Sequence, residues 1–168
     1  MVAPAGKTIA AGTSATDRAT SAKWDVPMPF TTRVVPQAAD IDGLNHVNNA
    51  VYVGWCEQVA WAHSEQLGLY LADYRRLDRA MAIRRGEYDY ILPALFGDEL
   101  LLATWLSASD GKLTMVRRFQ LVRASDQVTL MRGRWELVCI ALSSGKAKRM
   151  PIEFCDVYNA ALIGEQPA

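Results

Sequence analysis

Between residues 48 and 68 the apolar side chains recur with the spacing of one helix face, whereas beyond residue 83 they alternate and then gather into runs. At 100° per residue, Val51, Tyr52, Trp55, Cys56, Val59, Ala60, Ala62, His63 and Leu67 fall within about half of a helical wheel. Glu57, Gln58, Ser64 and Glu65 fall on the other half. Asn48 and Asn49 are good N-cap residues, because a side-chain oxygen there accepts an orphan N–H of the first turn. Gly68 supplies a C-terminal cap. The spacing therefore predicts one long helix from about Asn48 to Gly68.

Strands are predicted on both sides of it. A first strand runs through Thr31–Val35, and Tyr70–Arg79 reads as a short second helix or a structured turn. From Ile83 to Leu92 the residues alternate, with Arg85, Glu87 and Asp89 on one face and Tyr88, Tyr90 and Leu92 on the other, as in a half-buried strand. Three further runs follow, over residues 99–107, 113–123 and 128–142. Asp110-Gly111 marks the hairpin turn between the first two and Ser125-Asp126 the next turn. Gly133 inside the last run predicts a bulge or bend. Residues 151–162 read as a terminal helix or as a short strand and turn. One long helix followed by antiparallel strands is an α+β arrangement with the helix on one sheet face.

Composition narrows the function classes. At 168 residues the chain fits one domain over 26–168. Lys and Arg balance Asp and Glu at 18 against 18, without the basic excess of a nucleic-acid binder. No apolar run approaches the roughly 18 residues of a membrane span. Cys56, Cys139 and Cys155 stand singly without a CxxC pair, which is most simply read as a reduced, cytoplasmic protein. Two histidines and this cysteine spacing predict no metal, and no cofactor is expected. Residues 1–25, rich in Ala, Thr, Ser and Gly, read as a disordered tail in preference to a transit peptide, although Lys7, Arg18 and Lys23 outnumber Asp17.

The candidate chemistry lies just before the helix, in Asp40-Ile41-Asp42-Gly43-Leu44-Asn45-His46-Val47-Asn48-Asn49-Ala50-Val51-Tyr52. A helix that starts near Asn48 aims its positive end at Asp42 and His46. That field favours an ionised carboxylate and negative charge developing on a bound carbonyl, as acyl transfer requires.

This run, with Gly54-Trp55 and Glu57 after it, resembles the hot-dog-fold thioesterases, both the 4-hydroxybenzoyl-CoA thioesterase-like family and the acyl-ACP thioesterases. More loosely, the resemblance extends over residues 28–155. It implies a hot-dog fold, in which an antiparallel sheet wraps around one long central helix. It also implies a homodimer with active sites at the subunit interface, or a homotetramer of two such dimers.

By resemblance Asp42 is the catalytic carboxylate, acting as nucleophile or as general base on water, and the sequence does not choose between them. Asp40 reads as structural, accepting loop N–H groups. His46 either donates to the thioester carbonyl or packs beneath the loop. Asn45 stands one position later than the Asn of the plant enzymes, where this chain has Leu44. Asn49 replaces the His of some bacterial relatives, and serves in the site or as a helix cap. Tyr52 matches the family pattern in the apolar arc, and Glu57 lies on the polar arc as a secondary acid–base or water-orienting group.

For the substrate, Arg117, Arg118, Lys146, Lys148 and Arg149 are candidates to meet coenzyme A phosphates or an acidic acyl carrier protein. Tyr88, Tyr90, Trp105, Phe119 and Trp135 are candidate acyl-pocket residues, although strand aromatics are usually core. Two alternatives stay open. Enoyl-thioester hydratases share the fold but place His five residues after Asp, against the four and six here. A non-catalytic acyl-thioester-binding module is the other.

Overall fold

The computed structural model describes residues 23–164. Five strands, β1 (Phe30–Val34), β2 (Ala80–Tyr90), β3 (Leu100–Ser109), β4 (Thr114–Arg123) and β5 (Thr129–Ile140), form one antiparallel sheet in the order β1-β3-β4-β5-β2. Helix α1 (Asn49–Gln66) lies on one face of it, α2 (Leu71–Leu77) follows directly, and α3 (Ile152–Ala160) comes last among the described elements. The architecture is the α+β hot-dog arrangement implied by the resemblance.

Local chemistry sets the element ends. Asn48 is the N-cap of α1, its side-chain oxygen accepting from the Ala50 N–H at 2.9 Å. At the other end the Leu67 N–H reaches the His63 carbonyl at 3.0 Å, and Gly68 turns the chain at φ +89°, a value that favours glycine. In the β3–β4 turn one oxygen of Asp110 accepts from the N–H groups of Lys112, Leu113 and Thr114 at 2.7–2.9 Å. Those donors hold the Asp110 carboxyl well below the usual carboxylate range.

The core lies between α1 and the sheet. Tyr52, Trp55, Cys56, Val59 and Ala60 of the helix pack with Leu100, Leu102 and Leu106 of β3, Met115, Phe119 and Leu121 of β4, and Trp135 and Leu137 of β5. Ser64 departs from the expected polar face. It is buried, because α3 covers that flank and sets Tyr158 Oη 3.4 Å from its Oγ.

The opposite sheet face carries a smaller cluster of Val26, Ala103 and Trp105, with Trp24 and Ile163 packed against it. Trp105 therefore points away from the helix and is no part of a pocket beneath it. Asp25 anchors this segment to the interior strands, its carboxylate pairing with Arg132 of β5 at 2.7 and 2.8 Å while its N–H donates to Gln120 of β4. The expectation of a disordered tail over 1–25 falls, for residues 1–22, outside the described residues.

Gly133 makes no bulge. It pairs in regular register with both Tyr88 and Phe119. Its role is close approach, since a Cβ there would lie 3.3 Å from both rings. The irregularities sit elsewhere, at Ile83/Arg85, Leu106/Ala108 and Leu121/Val122. Strand β2 is also less buried than alternation predicts. As the sheet edge it leaves residues 83–87 exposed on both faces.

Candidate active site

The loop before α1 is held by its own backbone. A 3-10 turn over Ala38–Asp40 is closed by the Asp40 carboxylate, which accepts from the Gln37 N–H at 2.8 Å, so Asp40 is a structural group. Ile41 and Val47 then face each other as an antiparallel bridge, and the Asp42 N–H meets the His46 carbonyl at 2.8 Å. Asn45 completes the reversal at φ +63°, a conformation Asn tolerates better than most residues. The Val47 N–H donates to the Ala94 carbonyl, which docks the loop on the segment after β2.

This frame fixes Asp42. Its Oδ1 accepts from the N–H groups of Leu44 at 2.8 Å and His46 at 3.2 Å, while Oδ2 accepts none among the described residues. The carboxylate is half-buried, with Oδ1 oriented by these two bonds. Close by in the chain, the N–H of Asn49, first residue of α1, has no acceptor among the described residues.

His46 is exposed and does not pack beneath the loop. Asn45 and Asn49 are exposed too. Capping is done by Asn48, which leaves the Asn49 side chain at the helix mouth, while its carbonyl accepts from the Tyr90 hydroxyl at 3.2 Å. Tyr52 is buried, and its hydroxyl accepts from the Ala94 N–H at 2.9 Å. Its position is that of a clamp under the loop, and burial raises its pKa.

The remaining candidates do not join this cluster within one chain. Lys148 and Arg149 are exposed in the loop that follows β5. The Lys148 N–H bonds the Cys139 carbonyl, opposite Met81 near the start of β2, whereas the Asp42 loop docks beyond its end. The length of β2 separates them by roughly 30 Å. Arg117 is not on the surface at all. It is 2% exposed and faces α1, so it cannot meet a carrier's phosphates at the surface.

Glu57 lines a cavity of about 90 Å³ between α1, α2, α3 and the β2–β5–β4 part of the sheet. Arg117, Ser64, Tyr74 and Tyr158 line it as well, among apolar side chains that include Met115, Trp135 and Leu137. His63 lies beside Arg117, its Nδ1 accepting from Nη1 at 3.0 Å, and stacks on Phe30. Burial and the adjacent guanidinium push the His63 pKa down to about 4.

The arrangement thus has an oriented carboxylate in the loop that leads into a helix and an apolar cavity farther along the same helix, on a hot-dog framework. Residues 36–158 match the family model described as the thioesterase-like superfamily, and the chain belongs to that superfamily. No curated protein matches it. Among solved structures it is similar to Slr0204, a 1,4-dihydroxy-2-naphthoyl-CoA thioesterase from Synechocystis, at 22% identity and TM-score 0.70 over 79% of this chain and 96% of that one. It is similar also to the hypothetical protein SAV2348 from Staphylococcus aureus in complex with CoA, at 17% identity and TM-score 0.75 over 85% and 89% of the two chains. The 12:0-ACP thioesterase from Umbellularia californica matches at 15% identity and TM-score 0.71, over 80% of this chain and 54% of that one. At these identities the likeness to solved structures shows the fold.

Proposed function

We propose that the protein hydrolyses acyl thioesters of coenzyme A or acyl carrier protein to a free acid and a thiol, with Asp42 as the reacting carboxylate. The observation that carries this reading is the half-tied Asp42, in the loop that leads into α1, with Oδ1 fixed by two loop N–H groups and Oδ2 without a donor among the described residues. The thioester carbonyl sits against the helix N-terminus, where the Asn49 N–H and the helix dipole stabilise the oxyanion. Either Oδ2 takes a proton from water as the hydroxyl attacks the carbonyl carbon, or it attacks that carbon itself and water opens the anhydride. In both routes the C–S bond breaks and the thiolate leaves with a proton.

The functional unit is a homodimer built on β2. Among the described residues this edge strand has unpaired backbone groups on its outer side, and Ile83, Tyr90, Ile91 and Leu92 lie exposed along and just beyond it. Antiparallel pairing of two such edges would bring the partner's start of β2, with its basic loop, beside this chain's Asp42 loop. Lys148 and Arg149 would then serve the site of the opposite subunit, Asn45, His46 and Asn49 would flank the thioester, and Glu57 would lie on the path of the acyl chain. Three unpaired cysteines fit a cytoplasmic location.

The test is thiol release from short, long and aromatic acyl-CoAs and from acyl carrier protein, with the solution mass measured alongside. Turnover on at least one carrier by a dimer is expected. Tight binding without thiol release from any of them would point to a binding module.

A further inference from the structure

The far end of the α1 cavity holds a charge that the fold leaves uncompensated. Arg117 projects from β4 into the core, and no carboxylate lies within 4 Å of it among the described residues. A guanidinium has five N–H donors. The hydrogen bonds it makes both come from Nη1, to His63 Nδ1 at 3.0 Å and to Thr104 Oγ1 at 3.3 Å. The donors on Nε and Nη2 have no acceptor among the described residues.

Burying a cation without a partner is costly, so such a group usually has an anion to receive. The neighbours do not supply one. His63 is neutral, and Tyr74 and Tyr158 hydrogen-bond each other through their hydroxyls. Burial raises the Tyr74 hydroxyl further above its ordinary value, so it stays protonated.

The cavity has a direction. Glu57 and Ser64 line it seven residues apart on one helix, so its acidic and basic ends are separated by roughly 10 Å along α1. Glu57 marks the end toward the Asp42 loop, while Arg117, at the level of His63, marks the distal end. The stretch between them is lined by apolar groups such as Ala60, Trp61 and Met115.

We propose that this cavity binds a carboxylate carried on an apolar chain, with the carboxylate forked against the free donors of Arg117. Its assignment to the acyl group of a thioester, making the preferred substrates ω-carboxyacyl thioesters, rests on the hydrolase reading above. A planar guanidinium suits this role because it meets both carboxylate oxygens at once.

The experiment compares the full-length protein with Arg117→Met, which keeps the length of the side chain and removes the charge. Matched thioesters that differ only in the terminal group are hydrolysed, octanoyl-CoA against suberoyl-CoA and butyryl-CoA against succinyl-CoA. Binding of free suberate and free octanoate is measured by calorimetry. We expect the wild type to favour the ω-carboxyacyl member in kcat/KM by roughly 10- to 100-fold at the fitting length, and Arg117→Met to abolish the preference within each matched pair.

Octanoate binding that depends on Arg117, without any ω-carboxyacyl preference, would overturn the substrate assignment and give the seat to a free fatty acid. No preference and no Arg117-dependent binding would overturn the carboxylate site altogether. If Arg117→Met does not fold, Arg117→Lys, which keeps the charge and loses the fork, is expected to reduce the preference, and an unchanged preference would contradict the proposal. Calorimetry does not need turnover, so absence of thiol release would sink the hydrolase reading while the cavity is still tested.

Discussion

The two ends of α1 hold polar residues in opposite ways. At its N-terminus Asp40, Asp42, Asn45, His46 and Asn48 come from one contiguous loop, mostly open to solvent, and their hydrogen bonds run to N–H groups two to four residues away. At its C-terminal half His63, Ser64, Tyr74, Arg117 and Tyr158 come from four elements and are buried together. The first cluster depends on local backbone geometry and the second on packing. Damage to the first should therefore alter chemistry, and damage to the second should alter stability.

The largest stability loss is expected at the buried end. Phe154 of α3 is fully buried and packs its ring on Tyr74 and Tyr158. Phe154→Ala should cost roughly 3–5 kcal/mol in chemical denaturation. Leu44→Ala, in the exposed loop, should stay within roughly 0.5 kcal/mol. Equal losses at the two positions would erase the contrast.

Next comes pH. The folded His63 has its pKa near 4, below the ordinary 6.5, so the unfolded chain binds the extra proton between these values. Stability from this residue is full above about pH 6.5 and declines as pH falls toward 4, by up to ~3 kcal/mol. His63→Gln, which keeps an acceptor for Arg117, should flatten that slope in urea titrations from pH 7 to 4.5. A slope that persists in the variant would place its origin elsewhere.

A smaller effect is expected where the two ends share one helix. Asn48→Ala removes the cap at Ala50 and should cost about 1 kcal/mol. Because it also loosens the frame behind Asp42, thiol release should fall more than stability does. Parallel assays of denaturation midpoint and turnover check this.

The contrast also explains what was legible in the sequence. The bounds of α1, the Asp110 turn and the structural role of Asp40 rest on interactions within a few residues, and their spacing announces them. The sequence does not place Arg117, because an alternating strand with a basic pair does not say which basic residue faces the core. Met115, Phe119 and Leu121 share its face, but a charge among them reads as an exception until the cavity is seen. Ser64 reads as part of the polar half because no local signal reveals that α3 packs over it. Gly133 needed the rings of two neighbouring strands, and Trp105 a second cluster, to show their roles. For Asp42 the frame is visible in one chain, whereas partner residues that meet it belong to the proposed dimer.

The most direct test of the account sets two carboxylates of the same loop against each other. Asp42→Asn and Asp40→Asn are compared for thiol release on the best acyl thioester, with denaturation midpoints recorded in parallel. Asp42→Asn is expected to lose turnover by ~100-fold or more while remaining folded. Asp40→Asn should keep near-wild-type turnover, with its effect confined to stability. Equal losses in both variants, or full activity in Asp42→Asn, would contradict the assignment of Asp42 as the reacting carboxylate.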